Sequence, residues 1–447
     1  MLTNYLKLAW RILARRKFFT FISLFGISFT LGILMVALSF LQSELGTNTP
    51  LSNKDDFVYV EQIRLERTYF DTITLVDTVF NLGVAVYDTT FELKESGTGA
   101  SQTEMSNNIV DSYLTGLESA ADMTMYTAGN YHDVYVNGVK VSLNVMMSDA
   151  SYWSVFDHKI IEGRNFDESD VKSAAQVIVI STETAKDYFG RDENVIDEEM
   201  FIDGKTYKVI GLYPHKGKIL PFVSPDAVSP YTTMDLSLVD NFYFGPFEVM
   251  YVAKPGAIDN LKSEINHSAT LVPIDHPDNE YDFKEAVFRP VTYDEMYAAG
   301  VLNVSNDEAE ESLSTMKMIL LGLFLFFTIL PTLNLINLNV SRIMDRSSEI
   351  GVRKAFGAHK GNIITQFIVE NIVQTILGGL IGLGIAWLLI STINKGGYLG
   401  DSVLMFNTKF FIYSFIITLI FGVLSGFLPA YKMSKLQIVN ALKENKL

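Results

Sequence analysis

Four stretches of the chain are uncharged and apolar over about twenty residues each: Phe18–Leu41, Met318–Val340, Ile372–Ile393 and Phe410–Ala430. About 20 apolar residues are what a helix needs to cross a ~30 Å hydrocarbon core. Buried helices of water-soluble proteins seldom run so far without a charge. The spacing therefore predicts four membrane spans, the first separated from the second by a long polar stretch. The mean hydropathy of +0.21 follows from these runs and not from the rest of the chain. Cleavage of the first run as a signal peptide is disfavoured. Its apolar part is too long, and "LQSELG" after it has no small-x-small site.

Positive charge sets the expected orientation. Residues 1–17 carry Lys7, Arg11, Arg15, Arg16 and Lys17 without an acid. The 342–360 loop carries Arg342, Arg346, Arg353, Lys354 and Lys360, and the tail carries Lys432, Lys435, Lys443 and Lys446. Both termini and that loop are expected on the cytoplasmic side, with 42–315 outside. Residues 42–315 sum to −28 and the remainder to +12, within a total of −16. The acidity belongs to the outer stretch, which argues against a nucleic-acid partner and reads first as a solubilising surface. Residues 1–17 alternate apolar and basic positions as a surface-lying amphipathic helix would.

The outer stretch reads as mixed α and β, long enough to bury a core of its own in one or two subdomains. Strands are expected at Phe57–Val60, Val134–Val136, Gln176–Ile180 and Lys205–Leu212, and helices at Asn107–Ser119 and Thr182–Phe189. Asp203-Gly204 is a two-residue hairpin turn. Four prolines make 214–230 loop-rich. Ser305 and Glu308 have capping-box spacing, so a helix starting there would run directly into the second span as a stalk.

Several chemistries find no support. The chain has no cysteine. Its histidines lack metal-site spacing, and there is no G-x-S-x-G elbow. Gly204-Lys205-Thr206 resembles the end of a phosphate-binding loop, but Glu199 stands where the first glycine is required. No catalytic, cofactor or metal residue is expected.

The membrane runs carry other signals. Gly378 and Gly382 in the third, and Gly422 and Gly426 in the fourth, lie four apart and so share a helix face open to close approach. Pro331 interrupts the second run and frees a backbone carbonyl, with Asn334 and Asn337 beyond it, as a hinge would require. No run has the several polar residues per turn of an aqueous pathway. Between the second and third runs, Arg342, Arg346, Glu349 and Arg353 form one charged helical stripe, and Glu349 can pair with Arg353. Ser347 and Gly351 lie opposite. Gly357 and Gly361 are expected to break that helix before the third span.

These segments resemble a known family. "RSSEIGVRKAFGAHKGNIITQFIVEN", with "NLINLNVSR" before it and "LPAYKMSKLQIVNALK" at the end, is similar to the cytoplasmic signature of FtsX-like/MacB-type ABC transporter permeases. "YWSVFDHKIIEGRNFDESD", "VIVISTETAKDYFG" and "FIDGKTYKVIGLY" resemble the MacB-like periplasmic core domain. The expected fold is an α-helical membrane protein of four transmembrane helices, with a large α+β extracytoplasmic domain inserted between helices 1 and 2. The resemblance implies an amphipathic helix at 1–17, spans at 18–41, 316–340, 368–394 and 409–431, and a core domain with stalk at 42–315. It implies a coupling loop at 341–367, a short outer loop at 395–408 and a cytoplasmic tail at 432–447.

In function, the resemblance implies a type VII ABC permease subunit in a bacterial inner membrane, exporting a peptide, toxin, antibiotic or similar substrate by mechanotransmission. Lipoprotein release, or regulation of a cell-wall hydrolase, are the alternatives. Arg346, Glu349, Ile350, Gly351, Arg353, Lys354, Gly357 and Ala358 would contact a partner ATPase, which would hold ATP and magnesium. A second permease copy or paralogue would complete a dimer, with a periplasmic adaptor and an outer-membrane channel as further partners. Two departures stand out. Only 17 residues precede the first span, where MacB has an ATPase domain, so the ATPase is expected on another chain. Asp197-Glu198 also replaces the usual Gly-Lys pair.

Overall fold

A computed structural model describes residues 17–45, 50–81, 84–136, 138–215, 221–235, 241–344 and 359–396. It also describes scattered positions between 7 and 15, at 352, 356 and 404, and between 408 and 431. The chain divides into two compact units: residues 47–314, and residues 1–46 with 315–447.

In the first unit, an eleven-stranded sheet runs 291–292, 57–60, 247–253, 120–127, 139–148, 227–230, 177–181, 205–213 and 162–163, with 130–136 and 199–202 paired alongside. Most pairings are antiparallel. The 205–213 strand runs parallel to 177–181, and 227–230 parallel to 139–148. Alternation sorts the side chains onto two faces. Val58, Val60, Val249 and Tyr251 pack with Leu261 and Ile265 of helix Ile258–Ala269. Phe57 and Tyr59 point the other way, into rings that include Tyr126, Tyr152, Phe156 and Phe222. A second core gathers Ile178, Ile180, Val209 and Leu212 near helix Thr182–Phe189. One sheet thus carries two apolar cores in a single compact unit.

Local signals explain the element ends. Helix Thr182–Phe189 begins at Ser181, whose hydroxyl accepts from the Thr184 N–H, and ends at left-handed Gly190. Asp203 and Gly204 have φ of 47° and 80°, the double left-handed turn that joins 199–202 to 205–213. Three expectations need correction. The 107–119 helix stops at Leu114, after a turn of α-helix and a wider π turn. Residues 227–230, inside the proline-rich loop, form a fully buried strand. Pro230 is its last residue, in register with Ser148, and Pro225 lies just before it. The Ser305 cap is one-sided: its hydroxyl accepts from Asp307 N at 3.0 Å, and a 3-10 turn at 306–308 leads into the helix.

A second sheet was not foreseen. Ile63–Asn81 and Val84–Thr103 pair along their whole length as an antiparallel ribbon. A third strand, Glu285–Phe288, covers only residues 63–66. Beyond them the ribbon is two-stranded for up to about 50 Å of strand. Phe70, Phe91 and Leu93 on it are 56%, 72% and 67% exposed. The register pairs Phe70 with Glu95, Thr72 with Leu93 and Thr74 with Phe91, which puts all three apolar side chains on one face.

In the second unit, helix Lys17–Leu45 contains the first apolar run. Helix Ala309–Met344, 36 residues long, contains the second and continues through Pro331. Helix Lys360–Gly396 contains the third. Gly361 therefore lies in the first turn of that helix, and Gly357, where the preceding helix is also expected to break, lies outside the described residues. His359 precedes it as a cap, its Nδ1 accepting from Gly361 N at 3.2 Å. Among the described residues, Thr20–Phe40 and Ile364–Gly396 are long and apolar enough to span a membrane. Their outward side chains fit that reading: Phe21, Phe25, Leu380, Trp387 and Leu388 are all exposed. A soluble core helix would bury them. The fourth run is described only at scattered positions. Most of residues 1–17 and all of the 432–447 tail lie outside the described residues.

Candidate functional site

Helix Lys360–Gly396 packs along helix Lys17–Leu45, and glycines make the contact. A methyl group added at Gly378 would lie 2.7 Å from Ile27 Cγ2, and one at Gly382 would lie 2.8 Å from the Ser28 carbonyl oxygen. Gly32 on the facing helix is equally close to Ile385, at 3.0 Å. The helices approach because a glycine on one stands opposite each side chain of the other, Gly378 against Ile27, Gly382 against Ser28 and Leu31, and Gly32 against Ile385, and dispersion contacts gain from that closeness. Ile27 and Leu31 are fully buried there. Gly384, on another face of the same helix, meets nothing within 4 Å.

The N-terminal part of this helix carries a feature that composition alone concealed. Gln366, Glu370, Asn371, Gln374 and Thr375 are all buried. They follow helical spacing, so they make one polar stripe in a helix otherwise apolar. A polar stripe facing inward costs more to expose to lipid than to protein, which fixes the rotation of the helix. Only the glycine half of this face was apparent from motif spacing; the i, i+4, i+8 run from Gln366 was the signal for the rest.

The proposed ATPase-facing residues Arg346, Glu349, Ile350, Gly351, Arg353, Lys354, Gly357 and Ala358 lie outside the described residues, as do Gly422 and Gly426. Between them, Phe356 N donates to Val352 O at 3.1 Å, one helical hydrogen bond beside the charged stripe. Pro331 is described in its backbone alone.

Two buried carboxyls of the outer unit are strongly perturbed. Burial pushes the Glu248 carboxyl up to about 8, against one opposing hydrogen bond from Tyr59 Oη at 2.8 Å; Glu61 and Glu104 push it further. Burial likewise raises Asp149 to about 6, opposed by donors from Thr124 and Met125. Among the described residues no cluster of His, Cys, Asp and Glu could hold a metal ion.

With the geometry in place, comparison assigns the class. Residues 20–267 match the MacB-like periplasmic core domain and residues 320–438 match the FtsX-like permease C-terminal domain. The chain belongs to the FtsX-like/MacB-type family of ABC transporter permeases. It is 30% identical over 300 residues to the macrolide export ATP-binding/permease protein MacB of Psychrobacter arcticus, covering 66% of this chain and 41% of that one. The chain thus spans less than half the length of the MacB relatives it matches. It is 26% identical over 364 residues to the uncharacterized ABC transporter permease YknZ of Bacillus subtilis, covering 79% and 82%. Solved relatives include the periplasmic region of MacB from Actinobacillus actinomycetemcomitans, with 18% identity, a TM-score of 0.31, and coverage of 43% and 80%. Another is the extracellular domain of the noncanonic ABC-type transporter YknZ from Gram-positive bacteria, with 17% identity, a TM-score of 0.32, and coverage of 42% and 88%.

Proposed function

We propose that this chain is the permease subunit of an ABC transporter and that it carries ATP-driven motion across the membrane to its outer unit. One observation carries the reading. The two family matches share a single chain, and the 36-residue helix Ala309–Met344 leads out of the core-domain unit into the FtsX-like segment. In this proposal, the charged stripe through Arg346, Glu349 and Arg353 receives a partner ATPase, which holds ATP and magnesium and hydrolyses it. This chain carries no phosphate-binding loop at Gly204-Lys205, where Glu199 replaces glycine.

The described helix contact supports a mechanical role over a pore. Gly378 and Gly382 bring the two helices into direct contact along that crossing. The substrate would be a peptide, toxin, antibiotic or similar molecule handled on the outer side. A second permease copy, an adaptor and an outer-membrane channel would complete the assembly. Multi-pass topology with both termini in the cytoplasm follows from the basic flanks of the apolar runs.

Glu349→Lys and Gly357→Trp test the reading. Each is expected to leave membrane insertion intact while nucleotide hydrolysis by the complex ceases to drive transport. Unaltered coupling in both variants would overturn it.

A further inference from the structure

At the base of the ribbon, side chains from distant parts of the chain close a ring of alternating charge. Arg64 Nε lies 2.5 Å from Glu66 Oε1, and Arg64 Nη1 lies 3.0 Å from Asp307 Oδ2. Arg289 Nε lies 3.0 Å from Asp307 Oδ1, and its Nη2 lies 3.9 Å from Glu66 Oε1. Each arginine therefore meets both acids, and each acid meets both arginines. Alternation explains how the ring forms. Ile63 and Leu65 point into the core, so Arg64 and Glu66 share the other face of the strand. Arg289 follows the strand that pairs with this one, and Oε1 of Gln102 on the second ribbon strand accepts from Arg64 Nη1 at 3.4 Å.

Asp307 differs from the other three. It belongs to the 306–308 turn, and the helix Ala309–Met344 starts directly after it. Its neighbour Asn306 donates to Glu61, in the segment just before the ribbon. The turn that opens the long helix is thus tied to the root of the ribbon by the charged ring and by the Asn306–Glu61 hydrogen bond. None of the four ring residues is more than 40% exposed or less than 28% exposed. One of these pairs, Arg64 Nη1 to Asp307 Oδ2, is a charge-assisted hydrogen bond and the others are ion pairs, all within reach of salt.

We propose that Asp307 is a positioning residue. Through Arg64 and Arg289 it sets the direction of the ribbon relative to the start of the long helix, so that the ribbon follows the helix when the helix moves. The role in transport rests on the mechanical reading above; the tie itself does not. Breaking the tie leaves the sheet core untouched, because no ring member belongs to either apolar core.

The chain has no cysteine, so Thr90→Cys and Glu311→Cys would give two unique labelling sites in the full-length protein. Pulsed electron spin resonance between nitroxides there measures the ribbon against the helix start, with no ATPase or substrate present. The expected result is one narrow distance distribution, widened at least about twofold by Asp307→Asn and restored by Asp307→Glu. Raising salt to about 1 M, where charges are screened beyond about 3 Å, should widen the unsubstituted chain and leave Asp307→Asn as it was. Asp259→Asn, an exposed acid outside the ring, should change nothing. An unchanged distribution in Asp307→Asn and at high salt would overturn the proposal, as would equal widening by Asp259→Asn. Failure to find an ATPase partner would leave this result standing, and the reverse also holds.

Discussion

Glu248 sits in the strand Phe247–Ala253, 6% exposed, where its neighbours Phe247 and Val249 are wholly buried. Its carboxyl is pushed up to about 8 from 4.5 by burial. The folded state then binds more protons than the unfolded chain between those two values. Stability from this group is fully present below pH 4.5 and is lost as pH rises towards 8, at up to about 1.4 kcal/mol per pH unit. Glu248→Gln keeps an acceptor for Tyr59 and removes the titration. The melting temperature of the variant should therefore gain on that of the original chain steadily from pH 5 to pH 8. A difference that does not change with pH would mean that Glu248 is ionised in the fold. Glycine supplies a second test at this scale. Gly378→Ala forces a methyl onto Ile27 and should cost about 1–3 kcal/mol. Gly384→Ala meets open space and should be neutral or stabilising, since alanine is the better helix former. Thermal unfolding of both variants in the same detergent separates the two.

Among the elements, the ribbon and the proline-rich strand were the least legible in the sequence. The hairpin at Asp203-Gly204 announces itself, because only a few residue pairs tolerate that turn. The helix Thr182–Phe189 is bounded by Ser181 and Gly190 and was readable to the residue. The ribbon has no such punctuation. Its strands mix Thr, Asp and Glu with Phe and Leu, and a partly exposed ribbon face breaks the rule that apolar residues mark a core. Strand 227–230 was hidden for the opposite reason: its pairing partners at 145–148 and 179–180 are remote, and local propensity gave the prolines the greater weight. On the membrane side, the apolar runs and the Gly378/Gly382 face were plain. The helix start at Lys360 was not, because the uncharged apolar run begins only at Ile372 and the first turns are polar. The ribbon carries its own prediction. Phe91 is 72% exposed, so Phe91→Thr should change folding stability by no more than about 0.5 kcal/mol, read by denaturant unfolding. A larger loss would mean that the ribbon face is covered within the chain.

For the whole molecule, charge and hydropathy divide the labour. The −28 outer stretch is folded on two sheets, and the basic remainder flanks apolar helices. In the proposed mechanism the chain receives motion at the charged stripe between Arg342 and Lys360 and passes it to the outer stretch. The most direct test is to purify the full-length chain in mild detergent, with and without a non-hydrolysable ATP analogue, and identify the proteins that come with it. The expected result is an ABC ATPase in stoichiometric amount, retained by the original chain and lost from Glu349→Lys. Purification of the intact chain free of any ABC ATPase, under both nucleotide conditions, would contradict a permease driven by a separate engine.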